Sequence, residues 1–147
     1  MNLQNKKTNT GFTIVELLIV IVVIGILAAI TIVAYNGIQK RANTSSAQSA
    51  ANTIQKKAEA YNAVQSSYPA SIANFNAVKE SELTGSGITL VAAVSSGNGK
   101  NSVEYEVCGT SGGRIRYFDY NSGASGAASS WILLGDATTS STCTDVV

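Results

Sequence analysis

At 147 residues the chain has room for one domain of ordinary size, and a formal net charge of +1 gives no overall reason to expect direct nucleic-acid binding. It contains no histidine, which removes the usual neutral-pH general base and the commonest nitrogen ligand for metals. Cys108 and Cys143 lie too far apart for a local CxxC site, and without histidine to complete a zinc set they read as a disulfide, which implies an oxidising compartment.

The first element is apolar. Phe12 to Tyr35 reads FTIVELLIVIVVIGILAAITIVAY, and Glu16 is its only group that ionises below tyrosine. Residues 17–34, interrupted only by Thr31, are long enough at ~1.5 Å per residue to span most of a ~30 Å hydrocarbon core. Lys6 and Lys7 precede the run, and Lys40 and Arg41 follow it. The positive-inside rule is therefore nearly a tie, and the cysteines help assign the N-terminus to the cytoplasm. A secretory signal peptide would be cleaved after the apolar region, where ILAAIT superficially qualifies, but the run is too long and the helical pattern continues. A plain signal anchor satisfies hydropathy equally well. Glu16 changes the weighting. A carboxylate inside a lipid helix costs ~2.5–3.5 kcal/mol on insertion scales, less near the interface, and such residues usually mark function. An interfacial Glu16 that snorkels would explain its tolerance, but not its place directly after Gly-Phe-Thr-Ile-Val.

Lys6-Lys7-Thr8-Asn9-Thr10-Gly11-Phe12-Thr13-Ile14-Val15-Glu16-Leu17-Leu18-Ile19-Val20 resembles the processing signature of type IV prepilins: a short basic leader, Gly, an aromatic residue, and Glu four positions after it. The likeness extends through Gly25-Ile26-Leu27-Ala28-Ala29-Ile30. It implies that a prepilin peptidase cuts between Gly11 and Phe12 on the cytoplasmic side and methylates the new Phe12 amine. It also implies that Glu16 attracts the N-terminal amine of a neighbouring subunit, so that Glu16 serves assembly and register rather than catalysis. Opposite charges attract strongly in a low-dielectric bundle, and each alone is costly to bury. The implied partners are the peptidase, other pilin subunits (a homopolymer that can include minor pilins), the inner-membrane assembly machinery, and the bilayer before assembly. The implied localisation is a single-pass precursor in the cytoplasmic membrane and then an extracellular filament. One departure stands out. Pilins often carry proline where this chain has Val33, so helix melting near Gly25 is less assured; Gly25 alone costs only ~1 kcal/mol relative to Ala.

After Tyr35 the chain turns polar without a clear helix stop. Ile38, Ala42, Ala47, Ala51, Ile54, Ala58, Tyr61 and Gln65 recur at helical spacing, with Lys56, Lys57 and Glu59 on the other side, until Pro69 ends the pattern. We expect one helix from about Thr13 to Ser66, roughly 80 Å if unbroken. An Ala/Ser/Gln-rich linker is the bland alternative for its second half. Beyond Pro69 we expect a short helix near Asn76–Glu82 and then four strands: Ile88–Val94, Val103–Val107, Arg114–Tyr120 and Trp131–Leu134. Glycine-rich turns at 95–100 and 108–113 link the first three, and 121–130 is a looser loop.

The expected fold is α+β, a long N-terminal helix packed on a small antiparallel sheet of about four strands. The expected division is leader 1–11, membrane and filament-core helix 12–38, and head 39–147. Glu104 and Glu106 should face Arg114 and Arg116 across a hairpin. A Cys108–Cys143 bond would close a loop of about 36 residues and stabilise by ~4 kcal/mol on the chain-entropy argument. Many pilins close a C-terminal loop in the same way. The leading function is a structural filament subunit. The alternatives are a type II secretion pseudopilin or a DNA-uptake pilin, which share the N-terminus, and an anchored enzyme, for which no catalytic set is visible. A major pseudopilin usually lacks such a disulfide and holds calcium in a C-terminal loop, whereas Asp136 and Asp145 are too sparse for that. No cofactor and no metal site are expected.

Overall fold

The computed structural model describes residues 11–122, 126–139 and 142–147. Residues 1–10 of the leader, with Lys6 and Lys7, and part of the 121–130 loop lie outside the described residues. Helix α1 runs from Ile14 to Gln65, close to the boundaries expected from the apolar spacing, and it passes through Gly25, Val33 and Gly37 without interruption. The chain divides by contacts at Gly37/Ile38.

Up to Gly37, the described chain is helix from Ile14 on and leaves its large apolar side chains exposed; even the least exposed, Val23, leaves 48% of its surface open. Among the described residues, α1 is the helix long and apolar enough to cross a membrane. Thr31 does not interrupt this character, because its hydroxyl donates to the Leu27 carbonyl of its own helix.

From Ile38 onward the fold is α+β. The remainder of α1 buries Ala47, Ala50, Ala51, Ile54, Ala58 and Tyr61, a narrow stripe of mostly small residues, four of which (Ala50, Ala51, Ile54 and Ala58) join the core cluster with the sheet's side chains. The helix ends where Ser66 takes φ 54°, a left-handed C-terminal residue whose N–H donates to the Asn62 carbonyl at 2.8 Å. The exit is then pinned by Tyr68 N–H donating to the Thr110 carbonyl at 3.0 Å. A short helix does follow, but earlier than expected: α2 spans Ile72–Ala77, and Lys79–Ser81 is a separate 3₁₀ turn. Ser71 caps α2 by accepting from Asn74 N–H, a start signal that outranks the apolar spacing further on.

Among the described residues the sheet has six strands: β1 (Thr89–Leu90), β2 (Ser102–Cys108), β3 (Gly112–Asp119), β4 (Ala127–Ala128), β5 (Ile132–Gly135) and β6 (Thr144–Asp145). It is mixed rather than antiparallel throughout. β1 pairs parallel with β2, so residues 95–100 are not a hairpin turn. The apolar run 88–94 supplies only two paired strand residues, because it leaves the ladder after Val91 and its Val94 N–H goes to the Glu104 carboxylate at 2.9 Å. β2 and β3 form the antiparallel centre. β1 and β6 share the far side of β2, and β4 and β5 share the far side of β3.

Alternation on β2 and β3 sorts the two faces as the sequence suggests. Val103, Tyr105, Ile115 and Tyr117 join Ile54, Ala58, Phe75, Leu134 and Val146 in the core. Phe75 meets Tyr105 edge-on, with ring centroids 5.2 Å apart. On the opposite face Glu104 stands across from Arg116 and Glu106 across from Arg114. The ion pairs measure 2.7 Å and 2.6 Å, and both guanidinium carbons lie 4.3 Å from the Trp131 ring centroid. This ladder is not the solvated surface feature that a hairpin alone would give: Glu104 is 1% exposed. The Cys108–Cys143 disulfide is formed and ties the end of β2 to the residue before β6, so the C-terminal strand and the Val146 plug are held against the sheet. Beside it β3 comes so close to the segment after β5 that a Cβ on Gly112 would sit 2.6 Å from the Ala137 nitrogen.

Tyrosine hydroxyls occupy the polar margin of this core. Tyr68 donates to the Glu59 carboxylate at 2.9 Å, and burial, reinforced by that carboxylate, pushes its pKa up to about 12. Burial likewise raises Tyr105, whose hydroxyl has no hydrogen-bond partner among the described residues.

Candidate functional site

Of the residues singled out from the sequence, Gly11, Phe12 and Glu16 come together at the start of α1. Gly11 and Phe12 are exposed and precede the helix, so the peptide bond between them lies outside it. Phe12 is 90% exposed. Glu16 lies in the first turn, where a carboxylate is favoured by the unsatisfied N–H groups and the positive end of the helix dipole.

Thr13 was not singled out, yet it organises the site. Its backbone N–H donates to Glu16 Oε2 at 2.8 Å, and its hydroxyl donates to the same oxygen at 2.7 Å. In return, the Glu16 N–H donates to Thr13 Oγ1 at 3.2 Å. Thr13 and Glu16 thus form a reciprocal capping box that satisfies two otherwise orphaned backbone donors. The signal was present as Thr-x-x-Glu at the head of an apolar run. In the sequence the carboxylate stands out as a charge in an apolar run, which masks its capping role. In a low-dielectric setting the box does more than begin a helix, since an unpaired N–H there is costly.

The second cluster is carboxylate-rich. Among the described residues, Glu104, Glu106 and Asp145 bring carboxylate oxygens within 4.8 Å of one another. Sequence spacing had set Asp145 aside as isolated, because nothing in the β6 segment announced that it would pair beside Glu106. Glu104 and Glu106 are already committed to Arg116 and Arg114, and Glu104 also accepts from Val94 N–H. Two guanidiniums inside the cluster favour an ion-pair ladder over a cation site.

A helix that buries nothing along its first turns, starting at a capped carboxylate and followed by a disulfide-closed α+β head, fits a membrane-inserting class of protein. Comparison with known families narrows this. Residues 6–32 match the prokaryotic N-terminal methylation motif, and the chain carries that type IV prepilin-like signal. The match spans Gly11, Phe12, Thr13 and Glu16 and stops well before the head. The motif is that of type IV pilin-like and pseudopilin proteins, a structural rather than an enzymatic grouping, and it implies processing by a prepilin peptidase and assembly with other pilins. The apolar helix and the motif together fit membrane insertion. No curated protein and no solved structure matches the chain.

Proposed function

We propose that the chain is a structural subunit of a type IV pilus-like filament. In this reading residues 1–11 are a leader removed by cleavage between Gly11 and Phe12, the Phe12 amine is methylated, and residues 12–38 anchor the precursor in the cytoplasmic membrane with its N-terminus inside. The same segment then packs against other copies in the filament, while 39–147 forms the head on the outer side. Glu16 receives the Phe12 amine of a neighbouring copy.

One observation carries the reading: the methylation motif coincides with the apolar part of α1, up to Gly37, which buries none of its large side chains and bears a single carboxylate at its start. Lipid covers such a surface before assembly, and like helices can cover it afterwards. The Cys108–Cys143 bond favours a pilus subunit over a major pseudopilin, which the resemblance expects to lack it. Electron microscopy of material sheared from cells, with mass spectrometry of its subunits, tests the proposal. Filaments whose principal polypeptide is this chain support it; recovery of the chain only from membranes, with filaments unaffected by its deletion, contradicts it.

A further inference from the structure

We infer that Thr13 is a positioning residue for Glu16 in assembly, holding one carboxylate oxygen so that the other is presented to the neighbouring amine. The inference rests on the filament reading above and extends it from the charge to the group that aims it. Both Thr13 donors fall on Oε2, and Oε1 accepts no hydrogen bond among the described residues. A carboxylate free to rotate would have to give up conformational freedom when the amine arrives; this one has lost most of it beforehand. The box also lies entirely on the C-terminal side of the Gly11–Phe12 bond. Cleavage therefore leaves all three hydrogen bonds intact and places the new amine next to the residue that caps the helix. Division of labour follows from the two oxygens: Oε2 belongs to the subunit's own helix start, and Oε1 belongs to the partner copy.

The hydroxyl is the part of the device that mutation can remove, because the backbone N–H stays. Thr13→Ser keeps a hydroxyl. Thr13→Ala removes both the hydroxyl and the helix cap, whereas Thr13→Gly removes the hydroxyl at a small cost in capping, since Gly is nearly as good an N-cap as Thr. Each variant of the full chain, with Glu16→Ala beside it, is expressed in its host at matched levels of cleaved subunit in the membrane, and sheared filament is measured per cell. Thr13→Ser should give parental yield. Thr13→Ala and Thr13→Gly should both fall about tenfold, the scale of one lost hydrogen bond to a charged group. Normal yield from Thr13→Gly with a loss in Thr13→Ala would reduce Thr13 to a helix cap and overturn the inference. So would normal yield from both, or a Thr13→Ser loss equal to that of Ala, and in those cases a failing Glu16→Ala leaves the filament reading standing. Normal yield from Glu16→Ala itself removes the docking role of Glu16, and the positioning role of Thr13 goes with it.

Discussion

Between Phe12 and Tyr35 every large apolar side chain is exposed, whereas in the unit that begins at Ile38 the side chains of Ile54, Phe75, Tyr105 and Ile115 are closed off completely. The polar groups show the same contrast. Near the N-terminus one carboxylate is held by one threonine. The head sinks two carboxylates beneath two arginines and a tryptophan and closes its C-terminal strand with a disulfide. The head therefore finds its hydrophobic partners within its own sequence. Among the described residues the first unit does not, and its exposed apolar surface suits lipid or other helices. A substitution in the first unit should register in assembly, and one in the head should register in stability.

The largest effect is expected from Glu16. Glu16→Ala should leave insertion and cleavage intact, since it makes the anchor more apolar, but should nearly abolish filaments by stranding a neighbouring Phe12 amine at a cost of several kcal/mol. Glu16→Gln, which keeps shape but not charge, should resemble Ala. Filament counts at equal membrane levels check both. In the head, reducing Cys108–Cys143 should lower unfolding free energy by ~2–5 kcal/mol, measured by denaturant unfolding of the purified chain in mild detergent. Arg116→Met should cost about 3 kcal/mol in the same assay, because it strands buried Glu104, and adding Glu104→Gln should recover part of the loss.

Alkaline pH should also loosen the head. Tyr68 titrates near 10.0 when unfolded and at about 12 when folded, so between those values the folded state retains a proton that the unfolded state gives up. That stabilisation is complete below pH 10 and is lost as pH rises toward 12, and Tyr105 shifts in the same direction. A pH series of unfolding midpoints should fall through this window, less steeply for Tyr68→Phe. The smallest effect is a gain: Ser66→Gly relieves the left-handed helix end and should add about 0.5–1 kcal/mol.

Much of this contrast can be read in the sequence, for specific reasons. Apolar residues at helical spacing from Ile14 to Tyr61 gave one helix, and period-two alternation in 103–107 and 114–118 gave the central hairpin with its charge ladder in register. The outer strands could not be read. Ala127–Ala128 and Thr144–Asp145 are two residues long and carry neither alternation nor β-branched runs, so only the tertiary frame of β2 and β3 makes them strands. The run 88–94 misled in the other direction, since apolar residues that cover the sheet's edge read like residues within a strand. At the N-terminus Glu16 was conspicuous as a charge, while its partner Thr13 was a common polar residue whose role depends on a hydrogen-bond geometry that only coordinates display.

The chemistry of one amine tests the filament assignment most directly. N-terminal sequencing and intact mass of the chain recovered from surface filaments should show a polypeptide beginning at Phe12 with a methylated amino group. A filament subunit that retains Met1, or one cleaved near Ala28–Thr31 after the apolar run, would contradict it.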